Sequence, residues 1–243
     1  VKQSTYTVLE NRQIAKATFL MRLQGDTSAF TTPGQFLNLS LPGYYLRRPF
    51  SICDWQAGEA TIIYKVLGQG SGEMTAFVPG VALDVLTGLG KGFKLDKSGD
   101  KPLLIGGGVG VPPLYRLAKE LIAQGKQVTV ALGFGSGDEV FYREEFSALG
   151  AEVRVATMDG SAGMKGLVTD ACDLHACSYF YACGPTAMLK AICEQAPGPG
   201  ELSLEERMGC GFGACMGCTV FTTTGPQRVC KEGPVFTREV LGW

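Results

Sequence analysis

The fold class the sequence predicts is β + α/β: an antiparallel β-barrel, then a parallel-sheet α/β domain, then a small C-terminal module. Three observations predict it. Residues 1–97 read as short β-prone runs separated by Gly, Pro and Asp/Ser turns, the pattern of a closed antiparallel barrel. Residues 98–197 alternate short apolar runs with helical periodicity, which argues for a parallel sheet with its ligand at the carboxyl ends of the strands. Residues 198–243 carry a glycine-rich loop of cysteines. A chain of 243 residues has room for two compact domains and such a module.

In the barrel region the runs 6–9, 17–23, 36–41 and 60–67 are rich in β-branched, aromatic and aliphatic residues. Within 36–41, Phe36, Asn38 and Ser40 alternate with Leu37, Leu39 and Leu41, and either set can be the core face. Arg48-Pro49-Phe50-Ser51 then brings a guanidinium, an aromatic ring and a hydroxyl together. On an extended strand Arg48 and Phe50 share one face, Pro49 and Ser51 the other. Arginine suits a bidentate grip on phosphate, and an aromatic ring offers a stacking surface to a flat ligand. Further on, Gly68-Gln69-Gly70-Ser71-Gly72, with Thr75 beyond, is a glycine-rich turn opening a helix. Its N–H groups and the Ser71 or Thr75 hydroxyl suit an anion. Taken singly, each motif reads first as an ordinary barrel turn or strand edge; together, upstream of the cysteine loop, they suggest FAD.

After the polar linker 98–101, the apolar run 102–105 leads into Gly106-Gly107-Gly108-Val109-Gly110 and then Pro112 and Pro113. Two prolines fit a helix start, where no N–H partner is lost. Leu114, Leu117, Leu121 and Ile122 share one helical face. Further strands are expected at 127–133, 152–157 and 179–182, the last running into Cys183-Gly184-Pro185 and a helix over 186–194. The glycine turn is not G-x-G-x-x-G, yet it lets a pyrophosphate approach bare backbone at a helix start; a structural tight turn is the rival reading. Asp159, in Asp159-Gly160-Ser161, either meets the adenosine half of a nucleotide or turns the chain. No arginine cluster follows the second strand to meet a 2′-phosphate, which favours NAD over NADP.

The cysteine loop reads Cys210-x4-Cys215-x2-Cys218-x11-Cys230, the spacing that holds a [2Fe–2S] cluster by four thiolates. Gly209, Gly211, Gly213 and Gly217 let the loop wrap tightly and turn N–H groups toward sulfur. Zinc usually takes two C-x2–4-C knuckles, and only Cys215 and Cys218 make one. Disulfides suit small secreted domains. Phe212 and Met216 have no periodic core partner; they either face a docking partner or pack beneath the cluster. Cys53 and Cys193 read as core fillers. Cys183 is either a packing residue or a nicotinamide neighbour. His175, between Cys172 and Cys177, mimics a metal knuckle but lacks matching ligands.

A net charge of −1 offers nucleic acid no electrostatic footing. The most apolar stretch, 102–117, is broken by Gly106 to Gly108 and two prolines, so no membrane span is expected. Residues 1–10 lack a charged segment leading into an apolar one, and with nine cysteines in the chain the expected compartment is a reducing cytoplasm.

Arg48-Pro49-Phe50-Ser51, Gly70-Ser71, the turn from Gly106 to Gly110, Cys183-Gly184-Pro185 and the terminal cysteine loop stand in the order of the ferredoxin–NADP reductase superfamily. More closely, residues 204–218 and 229–236 resemble the electron-transfer subunits of class B dihydroorotate dehydrogenases, and the likeness covers almost the whole chain. The resemblance implies an FAD barrel (1–97), an NAD domain (98–197) and a [2Fe–2S] module (198–243). It implies that Arg48 to Ser51 line the flavin and its pyrophosphate, that Ile63, Tyr64 and Lys65 flank the ring, and that Gly70 and Ser71 hold phosphate. Ser51 and Cys183 become the residues nearest the chemistry. Phe50 replaces the usual tyrosine, which keeps stacking area and drops a hydroxyl. The implied partner is an FMN-containing dihydroorotate dehydrogenase catalytic subunit, two copies of each chain forming a heterotetramer. A related reductase subunit serving another oxidoreductase, and a non-enzymatic redox sensor, are the alternatives.

Overall fold

Extended segments with alternating apolar residues must bury one face, and six of them do so by closing on themselves. The computed structural model describes every residue, Val1–Trp243. Strands β1 (Lys2–Ala15), β2 (Thr18–Gln24), β3 (Phe36–Leu39), β4 (Arg48–Gln56), β5 (Glu59–Lys65) and β6 (Ala82–Leu89) form a closed antiparallel barrel in the order β1-β2-β5-β4-β3-β6. Tyr6, Met21, Leu23, Leu37, Leu39, Ile52 and Ile62 fill its interior. The short helix α1 (Gln69–Met74) lies between β5 and β6 and buries Met74.

The barrel departs from expectation in three places. β1 is one long strand where only 6–9 is expected; register shifts at Val8/Glu10 and Gln13/Ala15 bend it around the barrel, so polar Glu10 to Arg12 stay in the ladder. β6, absent from the β-prone runs, closes the barrel and buries every second residue: Leu83, Val85, Thr87 and Leu89. The alternation in β3 does not separate core from solvent, because all four residues are buried. Leu37 and Leu39 fill the barrel, while Phe36 and Asn38 are covered from outside by later parts of the chain.

The four expected parallel strands are β7 (Pro102–Gly107), β8 (Thr129–Phe134), β9 (Glu152–Thr157) and β11 (Tyr179–Cys183). With β10 (Met164–Lys165), β12 (Gly200–Ser203) and β15 (Val235–Thr237) they make a seven-stranded sheet, ordered β10-β9-β8-β7-β11-β12-β15. Only β12–β15 pairs antiparallel. β7 and β11 are buried along their whole length, as expected of strands covered on both faces. Helix α2 (Pro112–Ala123) lays Leu114, Leu117, Ala118 and Leu121 on one face, beside α3 (Arg143–Ala148) and its buried Phe146. Helix α4 (Thr186–Gln195) covers the other with Leu189 and Ile192. The hairpin β13 (Thr219–Thr222) and β14 (Gly225–Arg228), with α5 (Arg238–Leu241), completes the C-terminal segment. No helix is long and apolar enough to cross a membrane.

Candidate functional site

The barrel ladder opens at one point. β4 pairs with β5 only from Ile52 onward, and Ile63, Tyr64 and Lys65 of β5 pair only with β2. The edges of residues 49–51 and 63–65 are thus unpaired with each other, and backbone groups left so call for another partner. A cleft of about 240 Å³ opens there, lined by Pro49, Phe50, Ser51, Ile63, Tyr64 and Lys65. Three consecutive residues of β4 reach the cleft because it lies along the strand's open edge; the expected alternation holds, with Phe50 opposite the interior Leu37, and Pro49 and Ser51 opposite the outward Asn38 and Phe36. Phe36, directly opposite Ser51 in the β3–β4 register, joins the wall, as do Val109 and residues 203–206, Met208 and Pro234. Leu204 to Met208 lead straight into the cysteine loop, so barrel, sheet and cysteine module all border one cleft.

Its walls are stiff. Phe50 meets the Tyr64 ring edge-on at 6.0 Å, and Tyr64 stacks on Phe19 at 5.6 Å. The Tyr64 hydroxyl donates to Asn11 Oδ1 at 3.0 Å. Lys65 is held by Glu139 at 2.9 Å, and the ammonium keeps the Glu139 carboxyl below its ordinary range. Ser51 lines the cleft with a hydroxyl that has no partner in the chain. Glu205 and Glu206 add carboxyls the sequence reading missed. Their place just upstream of Cys210 was the available signal.

Arg48 sits outside the cleft, against Gly70 of α1: a Cβ built on Gly70 would lie 3.4 Å from Arg48 Nε. The guanidinium donates to the Leu46 carbonyl at 2.6 Å, lies 5.0 Å from the Tyr44 ring centre, and forms no ion pair. The Ser71 hydroxyl is engaged in its own turn, donating to the Gly68 carbonyl and accepting the Leu67 and Gly68 N–H groups. Thr75 likewise donates to the Gly72 carbonyl.

The nucleotide turn divides its glycines. A Cβ on Gly106 would strike Val111, one on Gly107 would strike Met188, and one on Gly110 would come 2.1 Å from the Cys183 carbonyl oxygen. Gly184 faces Met188 and the Gly107 backbone in the same way. These four let the β7–α2 turn press against the end of β11 and Pro185. Gly108 alone, at φ +52, faces open space, a bare backbone surface that a nucleotide can approach. Cys183 is 1% exposed and is not part of the cleft wall; burial pushes its thiol well up. Asp159 follows β9 and accepts from the Ser161 N–H and hydroxyl, which lowers its pKa. Ser161 in turn accepts from the Gly137 N–H, tying together the loops after β8 and β9.

The four cysteines gather as two pairs. Cys210 and Cys215 exchange N–H···S contacts at 3.4 Å, and Cys230 N–H donates to Cys218 Sγ at 3.4 Å. Ala214 N–H adds a bond to Cys210 Sγ at 3.2 Å, and Gly217 N–H reaches Cys215 Sγ at 3.5 Å. Burial pushes the Cys210 thiol up, but N–H donors from Cys215, Phe212 and Ala214 outweigh it and bring the pKa down to about 6. Cys230 is pushed up to about 12 by burial and then by Cys218. No three of these groups close around a single ion. Two thiol pairs with N–H groups aimed at sulfur fit a two-iron centre, one pair per iron, better than one zinc ion. Asn38 of β3 ties the barrel to this loop, donating to the Cys210 carbonyl at 3.2 Å. Phe212 and Met216 are 45% and 53% exposed, which rules out packing wholly beneath the loop.

Fold and site together define a reductase built of a barrel and a nucleotide-binding sheet, with an iron–sulfur module appended. The family model described as the iron–sulfur cluster binding domain of dihydroorotate dehydrogenase B matches residues 205–242, and that of the oxidoreductase NAD-binding domain matches 104–194. Relatives named dihydroorotate dehydrogenase B (NAD(+)), electron transfer subunit, include one from Geobacillus thermodenitrificans, 46% identical over 95% of both chains. Another, from Fusobacterium nucleatum, is 43% identical over 95% of both. The chain belongs to this family of electron transfer subunits. Among solved structures, a chain of an NADH-dependent reduced ferredoxin–NADP oxidoreductase studied for electron bifurcation superposes with a TM-score of 0.88 at 30% identity, covering 99% of this chain and 90% of that one. A ferredoxin reductase of carbazole 1,9a-dioxygenase, at 22% identity and a TM-score of 0.70, covers 81% of this chain and 67% of its own; it shares the fold.

Proposed function

We propose that the chain carries electrons between NAD(H), FAD and a [2Fe–2S] cluster, and exchanges them with the FMN of a dihydroorotate dehydrogenase catalytic subunit in the cytoplasm. The observation that carries this reading is the single cleft bordered by barrel, sheet and cysteine module. FAD held there would supply the exchange between the two-electron chemistry of NAD(H) and the one-electron chemistry of the cluster. Residues 1–97 hold the flavin, 98–197 the nicotinamide nucleotide and 198–243 the cluster. The unpaired edges at 49–51 and 63–65 grip the flavin ring, the free Ser51 hydroxyl hydrogen-bonds it, and Phe50 packs on it. Arg48, with no carboxylate to neutralise it, binds the flavin pyrophosphate beside Gly70 and Ser71. Gly106 to Gly110 and Gly184-Pro185 form the nicotinamide nucleotide's turn. Asp159, just after β9, opposes a 2′-phosphate and so favours NAD. Cys183 lies behind this turn and sets its position; contact with nicotinamide requires the turn to shift on binding. Phe212 and Met216, exposed beside the thiols, face the catalytic subunit, in an assembly of two copies of each chain. The cysteines outside the cluster loop, Cys53, Cys172, Cys177, Cys183 and Cys193, form no disulfide, which suits a reducing compartment.

The 30% identity to the bifurcating oxidoreductase chain favours a second reading, in which the same cofactors serve a different partner. One assay separates them. Alone, the chain should reduce artificial dyes with NADH; with the FMN-bearing subunit, dihydroorotate should reduce NAD. The Cys215→Ser variant should lose iron and the second activity while keeping most of the first. Coupling of NAD to dihydroorotate at the native rate without the cluster would overturn the electron path. No coupling by the intact pair would favour the second reading.

A further inference from the structure

Under the cysteine loop lies an arginine that none of the roles above uses. Arg228 ends β14 and is held by Glu232 through its backbone N–H at 2.8 Å, its Nε at 2.9 Å and its Nη2 at 2.5 Å. Oriented in this way, Nη1 donates to the Gly213 carbonyl at 2.6 Å. That carbonyl shares a peptide plane with the Ala214 N–H, which points the opposite way in a trans peptide. The Ala214 N–H is the one that donates to Cys210 Sγ at 3.2 Å. Gly213 holds the plane in this attitude at φ +92, and a Cβ there would run into the Lys231 side chain. Carboxylate, guanidinium, carbonyl, N–H and sulfur therefore form one line of polarised contacts, each strengthening the next.

We propose that Arg228 is a positioning residue that sets the reduction potential of the cluster by acting through the Gly213–Ala214 peptide on the Cys210 sulfur. The inference rests on the reading of Cys210 as a cluster ligand. Taking up one electron adds negative charge to the cluster and its sulfurs. Hydrogen bonds to sulfur and nearby positive charge stabilise that charge and raise the potential. Arg228 does both: its charge lies beside the loop, and its pull on the carbonyl makes the Ala214 N–H a better donor. Glu232 aims the guanidinium and at the same time offsets part of its charge.

The test is a potentiometric titration of the anaerobically purified full chain, followed by electron paramagnetic resonance, with iron counted on each sample. Arg228→Gln with full iron should shift the one-electron equilibrium away from the cluster by about tenfold, equivalent to about 59 mV. Arg228→Lys should fall between Gln and native, since it keeps the charge but not the fork. Glu232→Gln should shift the other way, because the guanidinium charge is then less compensated. A clamp without electrostatic effect would loosen in both Gln variants, so the opposite signs distinguish the two roles. If Arg228→Gln loses its iron, the Lys and Glu232→Gln titrations decide the matter. A native potential in iron-replete Arg228→Gln overturns the proposal, and so does a negative shift in Glu232→Gln. Native protein without a two-iron signal would instead overturn the cluster reading, before any variant is compared.

Discussion

An alanine at Gly110 would set its Cβ against the Cys183 carbonyl, a backbone atom that cannot rotate aside. The same change at Gly108 meets open space and costs only the strain of φ +52, about 1 kcal/mol. Two glycines of one turn therefore separate packing from binding. Gly110→Ala should lower stability by about 1–3 kcal/mol, as overpacking does, and depress Tm by several degrees. Gly108→Ala should melt closer to native but bind NADH about tenfold more weakly, because its methyl group fills the surface the nucleotide approaches. Calorimetry and NADH titration read the two effects separately. Equal loss of NADH affinity in both, with no difference in Tm, would show that the turn does not divide its glycines in this way.

The start of β4 and the start of α1 form a single corner, in which Arg48 lies against Gly70 and pairs with no carboxylate of the chain. Each charge-assisted hydrogen bond to a phosphate contributes about 1.5–3 kcal/mol. Arg48→Ala should therefore weaken FAD retention by about ten- to a hundredfold, while Arg48→Lys restores part of it. Full flavin in the Ala variant after gel filtration would remove Arg48 from the site. The cysteine loop was legible because it is written in closely spaced residues whose chemistry allows few readings, whereas this corner joins two segments that each read, taken singly, as an ordinary turn or strand edge. The cleft was not legible. It depends on where β4 stops pairing with β5 and on Phe36 standing opposite Ser51, facts about register that no local pattern carries. Asn38 shows the same limit, since the alternation left its face open and nothing local showed that the cysteine loop covers it. β6 is the exception: its alternation was there to be read, but Asp84 and Gly88 diluted the β-prone composition.

At the scale of the whole molecule, ion pairs hold the barrel to the sheet: Asp54 with Arg116 and Lys119, Lys65 with Glu139, Lys16 with Asp138. Arg116 also lies 4.2 Å from the Trp55 ring centre. The segment just before the linker is strapped down differently. Glu201 on β12, 1% exposed, accepts the Lys94 N–H at 2.8 Å, and the Tyr181 hydroxyl donates to the Lys94 carbonyl at 2.7 Å. Desolvation outweighs the Lys94 contacts and pushes the Glu201 carboxyl up to about 7. A carboxyl raised in the folded state binds its proton more tightly there than in the unfolded chain. Its favourable contribution is complete below the ordinary glutamate range and is lost as pH rises through about 7. Asp138 and Glu139, lowered first by Ser136 and by Lys65 respectively, act in the opposite sense, losing their contribution only as the solution becomes acidic. Thermal stability should therefore decline between about pH 5 and pH 8 by about 2–3 kcal/mol from this one group. Glu201→Gln keeps an acceptor for the Lys94 N–H and carries no charge. It should match the native Tm at pH 5, exceed it by about 5 °C at pH 8, and flatten the profile between them. Parallel native and variant profiles across that range would show that Glu201 is not the titrating group.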